Sequence, residues 1–192
     1  MKRRSTLMSF MLSLGVISFL QPANAAPAPA FRPILQSIRD QLPEGMVMRL
    51  PSFLYLYGGP GIKRNAYANL ESYQANELRI SVTSQPNCGA RACQNGYIAV
   101  LKSSLEDAHV KFLRSDSESI LHRDMITLAK GVKGTYIFVN MRGASGGSYH
   151  AVLWEQDGLT FVVSGVLPDK QGVIEIAKSM AKEPPVLSRF RR

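Results

Sequence analysis

The sequence predicts an α+β fold: a mostly antiparallel, curved sheet of about six or seven strands with an N-terminal and a C-terminal helix. Three observations predict it. Short strand-like apolar segments follow one another through the middle of the chain, with period-two alternation clearest at Leu78-Arg79-Ile80-Ser81-Val82-Thr83. Apolar residues at helical spacing occur near the two ends, at Ile34, Leu35, Ile38 and Leu42 and again at Val173, Ile176, Ala177 and Met180. Between two strong strands, Gln156-Asp157-Gly158 fits a tight hairpin turn.

Taken in order, Ala26 to Ala30 alternates Ala and Pro and reads as an extended lead-in. Pro33 suits a first helical turn, and Pro43-Glu44-Gly45 ends the helix that follows. Met46 to Leu50 and Phe53 to Tyr57 are short strand-like runs around Pro51, and Gly58-Gly59-Pro60-Gly61 is a loop. Ala66 to Asn76 reads equally as helix or strand. Tyr97 to Leu101 is the expected partner of the 78–83 strand. Leu105 to Leu128 carries mixed signals, with strands readable at Val110–Leu113 and Met125–Leu128. Thr135 to Met141, Ala151 to Glu155 and Leu159 to Ser164 are strong strands, and the last helix stops before Pro184. No internal repeat is apparent.

The chain has 192 residues, 45% of them hydrophobic and 19% charged, which is enough for one domain with a buried core and excludes disorder throughout. Met1-Lys2-Arg3-Arg4, the apolar run Leu7 to Leu20 and Ala23-Asn24-Ala25 read as a secretory signal, cut between Ala25 and Ala26. The expected organisation is therefore a signal peptide at 1–25, a lead-in and first helix at 26–43, one α+β domain at 44–182 and a basic flexible tail at 183–192. The net charge is +9; without Lys2, Arg3 and Arg4 the balance is 20 basic against 14 acidic residues, or +6. Arg189, Arg191 and Arg192 supply half of that, in a tail read as solvated. A basic exported chain meets lipid headgroups, cell-wall polymers and acidic polysaccharide, so an anionic envelope surface is an expected partner and nucleic acid is not.

Cys88 and Cys93 are the two cysteines, separated by a loop that begins with Gly89. In an exported chain an even count at this spacing reads as a structural disulfide, pinning a turn between strands. A Cys-x-x-Cys redox motif and the further ligands of a zinc site are both missing from the sequence.

Catalytic patterns fail on context. Gly143-Ala144-Ser145-Gly146-Gly147 matches a nucleophile elbow, which needs a strand before the serine and a helix after it. Here a strand follows, and no histidine lies beyond His150. His109, His122 and His150 lack paired spacing and read as surface or rim residues. No carboxylate pair, calcium loop or phosphate loop stands out, so no catalytic residue, metal ligand or cofactor is assigned.

Binding is left. Phe53, Tyr55 and Tyr57 share one side of a strand by period two and could face sugar rings or acyl chains. The competing reading makes them a wall of the core, backed by Leu54 and Leu56. Trp154, on a strong strand, reads as core.

Leu50-Pro51-Ser52-Phe53-Leu54, Cys88-x4-Cys93 with Gly96, Trp154-Glu155-Gln156-Asp157-Gly158 and Ala177-Lys178-Ser179-Met180 occur in that order. This resembles a family of secreted proteins of photosynthetic bacteria whose function is open. The hairpin and final helix also resemble a domain of unknown function related to periplasmic lipoprotein carriers. Family members often carry a second cysteine pair where this chain reads Arg142-Gly143-Ala144-Ser145-Gly146. The resemblance therefore implies that the apparent serine elbow is a former disulfide loop. It brings no catalytic residue with it.

Together these readings predict an exported, monomeric, non-enzymatic domain, periplasmic or secreted, that binds or supports something in the envelope. The alternative is a periplasmic carrier holding an apolar small molecule, lipid or pigment, on the concave face of the sheet. A serine hydrolase using Ser145 ranks last.

Overall fold

A computed structural model describes residues 26–57, 63–86, 88, 93–113, 118–141, 147–165 and 169–189. Its centre is a seven-stranded antiparallel sheet with two helices at the chain's ends, so the fold is α+β.

The chain enters through a 3-10 turn, Pro29–Ile34, that runs straight into α1, Leu35–Gln41. Proline is tolerated there because the first helical N–H groups have no intrahelical partner. Phe31 and Ile38 are fully buried, and the Ala28 N–H donates to the Pro51 carbonyl at 2.8 Å. Ala28, Phe31, Ile38 and Leu42 of this segment thus belong to the buried core. Two small ribbons follow. β1 (Val47–Met48) pairs with the last strand, β11 (Val186–Leu187), and β2 (Tyr55–Tyr57) pairs with β3 (Lys63–Asn65).

The main sheet comprises β4 (Tyr67–Gln74), β5 (Glu77–Thr83), β6 (Gln94–Leu101), β7 (Glu118–Ala129), β8 (Val132–Met141), β9 (Gly147–Gln156) and β10 (Leu159–Gly165). Their order is β4-β5-β6-β10-β9-β8-β7, every pair antiparallel. Between β9 and β10, Asp157 and Gly158 both take positive φ (56° and 72°), the two-residue turn whose twist matches the flanking strands.

Both faces of the sheet are covered. On one, Ile80, Ile98, Val100, Val152, Trp154 and Phe161 meet α3, Lys170–Lys182, through its buried Val173, Ile176, Ala177 and Met180. Asp169 caps α3 by accepting from the Gly172 N–H at 2.9 Å, and Pro184-Pro185 follow its end. The opposite face carries Leu101, Ile137, Val139, Leu153 and Val162, with Ala108 of α2 (Leu105–Leu113) in the same cluster.

Three elements differ from expectation, each for a physical reason. Val110–Leu113 belongs to α2 and not to a strand. Ser104 caps that helix: its Oγ accepts from the Asp107 N–H at 3.1 Å while the Asp107 carboxylate accepts from that hydroxyl at 2.7 Å. Of the runs around Pro51, only Val47–Met48 and Tyr55–Tyr57 pair as strands, while Ser52 instead bonds to α3. The span 183–192 is not a flexible tail as far as Arg189. Val186–Leu187 completes a ribbon, Glu183 is buried, and the Arg189 backbone N–H donates to the Arg39 carbonyl at 3.2 Å. Arg191 and Arg192, like residues 1–25 with the expected signal, lie outside the described residues.

Candidate functional site

The motifs spread along the sequence meet at one end of α3. The Ser52 N–H donates to Ser179 Oγ at 3.0 Å, and the two hydroxyls lie 2.9 Å apart. Trp154 Nε1 donates to Gln156 Oε1 at 3.2 Å, and Gln156 Nε2 donates to the Ala181 carbonyl at 3.2 Å. Arg49, only 10% exposed at its side chain, joins both sets: it donates to Asp157 Oδ2 at 2.7 Å and to the Glu183 carbonyl. These bonds satisfy backbone acceptors that the helix end leaves over. The Leu-Pro-Ser segment, the Trp-Glu-Gln-Asp-Gly hairpin and the Ala-Lys-Ser-Met helix are therefore three sides of one junction.

Beside that junction a groove of about 390 Å3 runs between Ser52–Phe53 and the outer side of α3. Phe53, Glu175, Lys178, Lys182 and Glu183 line it. The Phe53 ring stacks on Tyr55, with centroids 5.5 Å apart and planes within 17°. Tyr55 Oη donates to Glu175 Oε2 at 3.1 Å, and Gln171 Nε2 donates to Glu175 Oε1 at 3.0 Å. Both oxygens of that carboxylate are thus held in place. Phe53 and Tyr55 are half-buried and share this surface, while Leu56 is in the core at 2% exposure; the Tyr57 side chain lies outside the described residues. Inward of Tyr55, between the sheet and α3, the remaining space is only about 10 Å3.

Cys88 and Cys93 form a disulfide with Cα atoms 6.3 Å apart, closing the β5–β6 connection. The Cys93 carbonyl accepts from the Ser84 N–H at 3.1 Å and from Asn95 Nδ2 at 2.8 Å, so the bridge anchors a hydrogen-bonded turn. For so small a ring the chain-entropy gain is about 2 kcal/mol. Ser145 lies outside the described residues.

A second polar constellation was not legible from spacing. His122 and His150 stand on either side of Tyr136, with ring centroids 6.2 and 6.0 Å from it. Tyr136 Oη lies 2.8 Å from His150 Nδ1, and Phe138 stacks on His150 at 4.8 Å. Asp124 Oδ2 accepts from Lys170 Nζ at 2.8 Å and lies 2.7 Å from His122 Nε2, and the Lys170 ammonium sits 4.6 Å from the Tyr136 ring centroid. This cluster ties β7, β8 and β9 to the first turn of α3. Pairing in the sheet created it, because His122 faces Phe138, and Phe138 faces His150, across adjacent strands. Among the described residues, no three or more His, Cys, Asp or Glu side chains come close enough to hold a metal ion.

Burial lowers the pKa of His150, with Lys170 pushing the same way and Asp169 opposing. On α2, burial also lowers His109, reinforced by Arg123. Hydrogen bonds from Lys170 and then His122 hold Asp124 below its ordinary value. The direction of the resulting pH effect follows from linkage. Below the ordinary histidine value of 6.5 the unfolded chain takes up protons that the folded chain refuses, so stability present above 6.5 is lost as pH falls through the lower folded values. Asp124 adds a loss only below 3.8. Thermal unfolding followed by circular dichroism is expected to show a falling melting temperature from pH 6.5 downward. The double variant His109→Gln, His150→Gln is expected to flatten that slope between pH 5 and 7, and an unchanged slope would assign it elsewhere.

No family model matches the chain, and no curated protein matches it.

Proposed function

We propose that the chain is an exported, non-enzymatic binding or accessory domain of the cell envelope, freed from a signal peptide by cleavage between Ala25 and Ala26. The observation that carries this reading is the Cys88–Cys93 disulfide, a bond that persists in oxidising compartments. The basic start, the apolar run and Ala23-Asn24-Ala25 support the same address. No helix among the described residues is long and apolar enough to cross a membrane. The resemblance of the four motifs to a secreted family points the same way.

Several polar side chains act on the protein's own backbone: Arg49, Gln156 and Thr160 each bond to a carbonyl of another element. Beside Phe53, in contrast, Lys178 and Lys182 line an open groove with the half-buried Glu175, and this favours binding. An apolar cargo on the sheet face under α3 would have to displace the side chains that fill it, since a binding pocket occupies some 300 Å3 or more.

Native mass spectrometry of the protein isolated from its own cells tests the proposal. The expected mass is that of a chain starting at Ala26 with two hydrogens lost at the cysteines. A chain starting at Met1, or with free thiols, overturns it. A bound mass in the lipid or pigment range would favour the carrier reading.

A further inference from the structure

Resting on the reading as a binding domain, we infer that the Phe53–α3 groove takes a neutral, polyhydroxylated ring: one or two units of a glycan. Three observations select this class. The groove of about 390 Å3 is shallow and largely open, so its occupant keeps much of its surface in water. An acyl chain gains most from an enclosed apolar pocket, whereas here a single ring, Phe53, supplies a flat apolar floor. The signs of the charges balance: Lys178 and Lys182 stand among Glu175 and Glu183, which disfavours a ligand selected for negative charge.

A sugar ring satisfies all three conditions. Its C–H face carries slight positive charge and packs on the electron-rich face of Phe53. Its hydroxyls are donors and acceptors at once, so one edge can donate to the Glu175 carboxylate while another accepts from Lys178 or Lys182. The site is also held in shape before a ligand arrives. Tyr55 supports the Phe53 ring from behind and, with Gln171, fixes both oxygens of Glu175. Less ordering is then left for binding to bring about.

The test uses the chain purified from its own cells, titrated by calorimetry and ligand-detected NMR. The probes are tetramers of glucose, mannose and N-acetylglucosamine, with dodecanoate and inorganic phosphate for comparison. At least one tetramer is expected to bind at millimolar concentration or below. Phe53→Ala is expected to weaken it about tenfold, equal to about 1.4 kcal/mol. Because Phe53 is half-buried, Glu175→Gln, which keeps the size of the side chain and removes its charge, provides a second test, with a loss of about threefold or more expected. Absence of tetramer binding at millimolar concentration overturns the inference. So does binding that neither variant weakens, or Phe53-dependent binding of dodecanoate or phosphate alone. Export is read separately: a processed, oxidised chain that binds no tetramer overturns the glycan site only, and a tetramer-binding chain that starts at Met1 overturns export only.

Discussion

Trp154→Ala is expected to lower the unfolding free energy by about 3–5 kcal/mol, which is a large part of the 5–15 kcal/mol that holds a typical domain together. Trp154 is completely buried near the end of β9 that leads into the hairpin turn, on the face that α3 covers, and its indole stacks on Phe161 of β10 at 5.4 Å. Removing it leaves a void where sheet and helix meet, and backbone paired on both sides cannot close in to fill it. The same residue starts the relay from Trp154 to Gln156 to the Ala181 carbonyl, so truncation also releases the end of α3. Trp154→Phe helps to separate the two effects: it keeps an aromatic ring against Phe161 and removes the indole N–H together with part of the ring volume. Its expected cost is about 1–2 kcal/mol, combining a lost hydrogen bond with a smaller void. The measurement is urea unfolding followed by far-ultraviolet circular dichroism, since Trp154 is the only tryptophan and its fluorescence goes with it. Equal losses in the two variants would place the energy in the hydrogen bond and not in the packing.

What the sequence made legible depended on how far apart the deciding residues lie. β8, β9 and β10 could be read locally, because each is a run of β-formers bounded by turn residues and the β9–β10 turn is spelled out by Asp157-Gly158. α2 was hidden, since Val110-Lys111-Phe112-Leu113 looks like a strand on its own. The signal that decides it, Ser104 with Asp107, lies before the apolar run and not inside it. β11 was hidden differently. Two residues after a Pro-Pro pair carry no periodicity, and only β1, about 140 positions earlier, makes them a strand. The groove follows the same rule. Glu175, Lys178 and Lys182 can be read as one polar stripe of α3 by their helical spacing, and Phe53 and Tyr55 as candidate ligand-facing residues by type. That the two sets face one another is settled by the Ser52–Ser179 bonds, a contact between distant segments that no local pattern encodes. Tyr55 belongs to this surface while its neighbour Leu56 enters the core, but Phe53 and Leu54, ahead of the strand, are both half-buried and both pack against the core.

Gly96→Ala is the second large effect, and its cause is backbone rather than core. Gly96 lies where β6 passes between β5 and β10, opposite Val82 on one side and Gly165 on the other. A Cβ there would fall on the Ser164 carbonyl oxygen, 2.8 Å from the Gly165 Cα and 3.0 Å from the Ser164 carbonyl carbon. None of these is the end of a side chain that could swing aside. Relief requires β6 and β10 to part, and that pair joins β4-β5-β6 to β10-β9-β8-β7. The neighbouring backbone is already irregular: the register shifts between Val82 and Thr83, so Asn95 is an extra residue in β6 and bonds back to the Cys93 carbonyl. A close backbone approach beside a bulge is a position that glycine fills and other residues strain. The expected loss is about 3 kcal/mol or more, at the upper end of overpacking effects. Gly131→Ala is the comparison. Gly131 has φ of +77° in the β7–β8 turn with open space around it, so an added methyl meets nothing and brings only the left-handed backbone cost of about 1–2 kcal/mol. Chemical unfolding of the two variants side by side decides the matter. If Gly131→Ala proves the costlier, β6 and β10 part readily at this end, and the two halves of the sheet are joined by the pairs from Tyr97 to Leu101 instead.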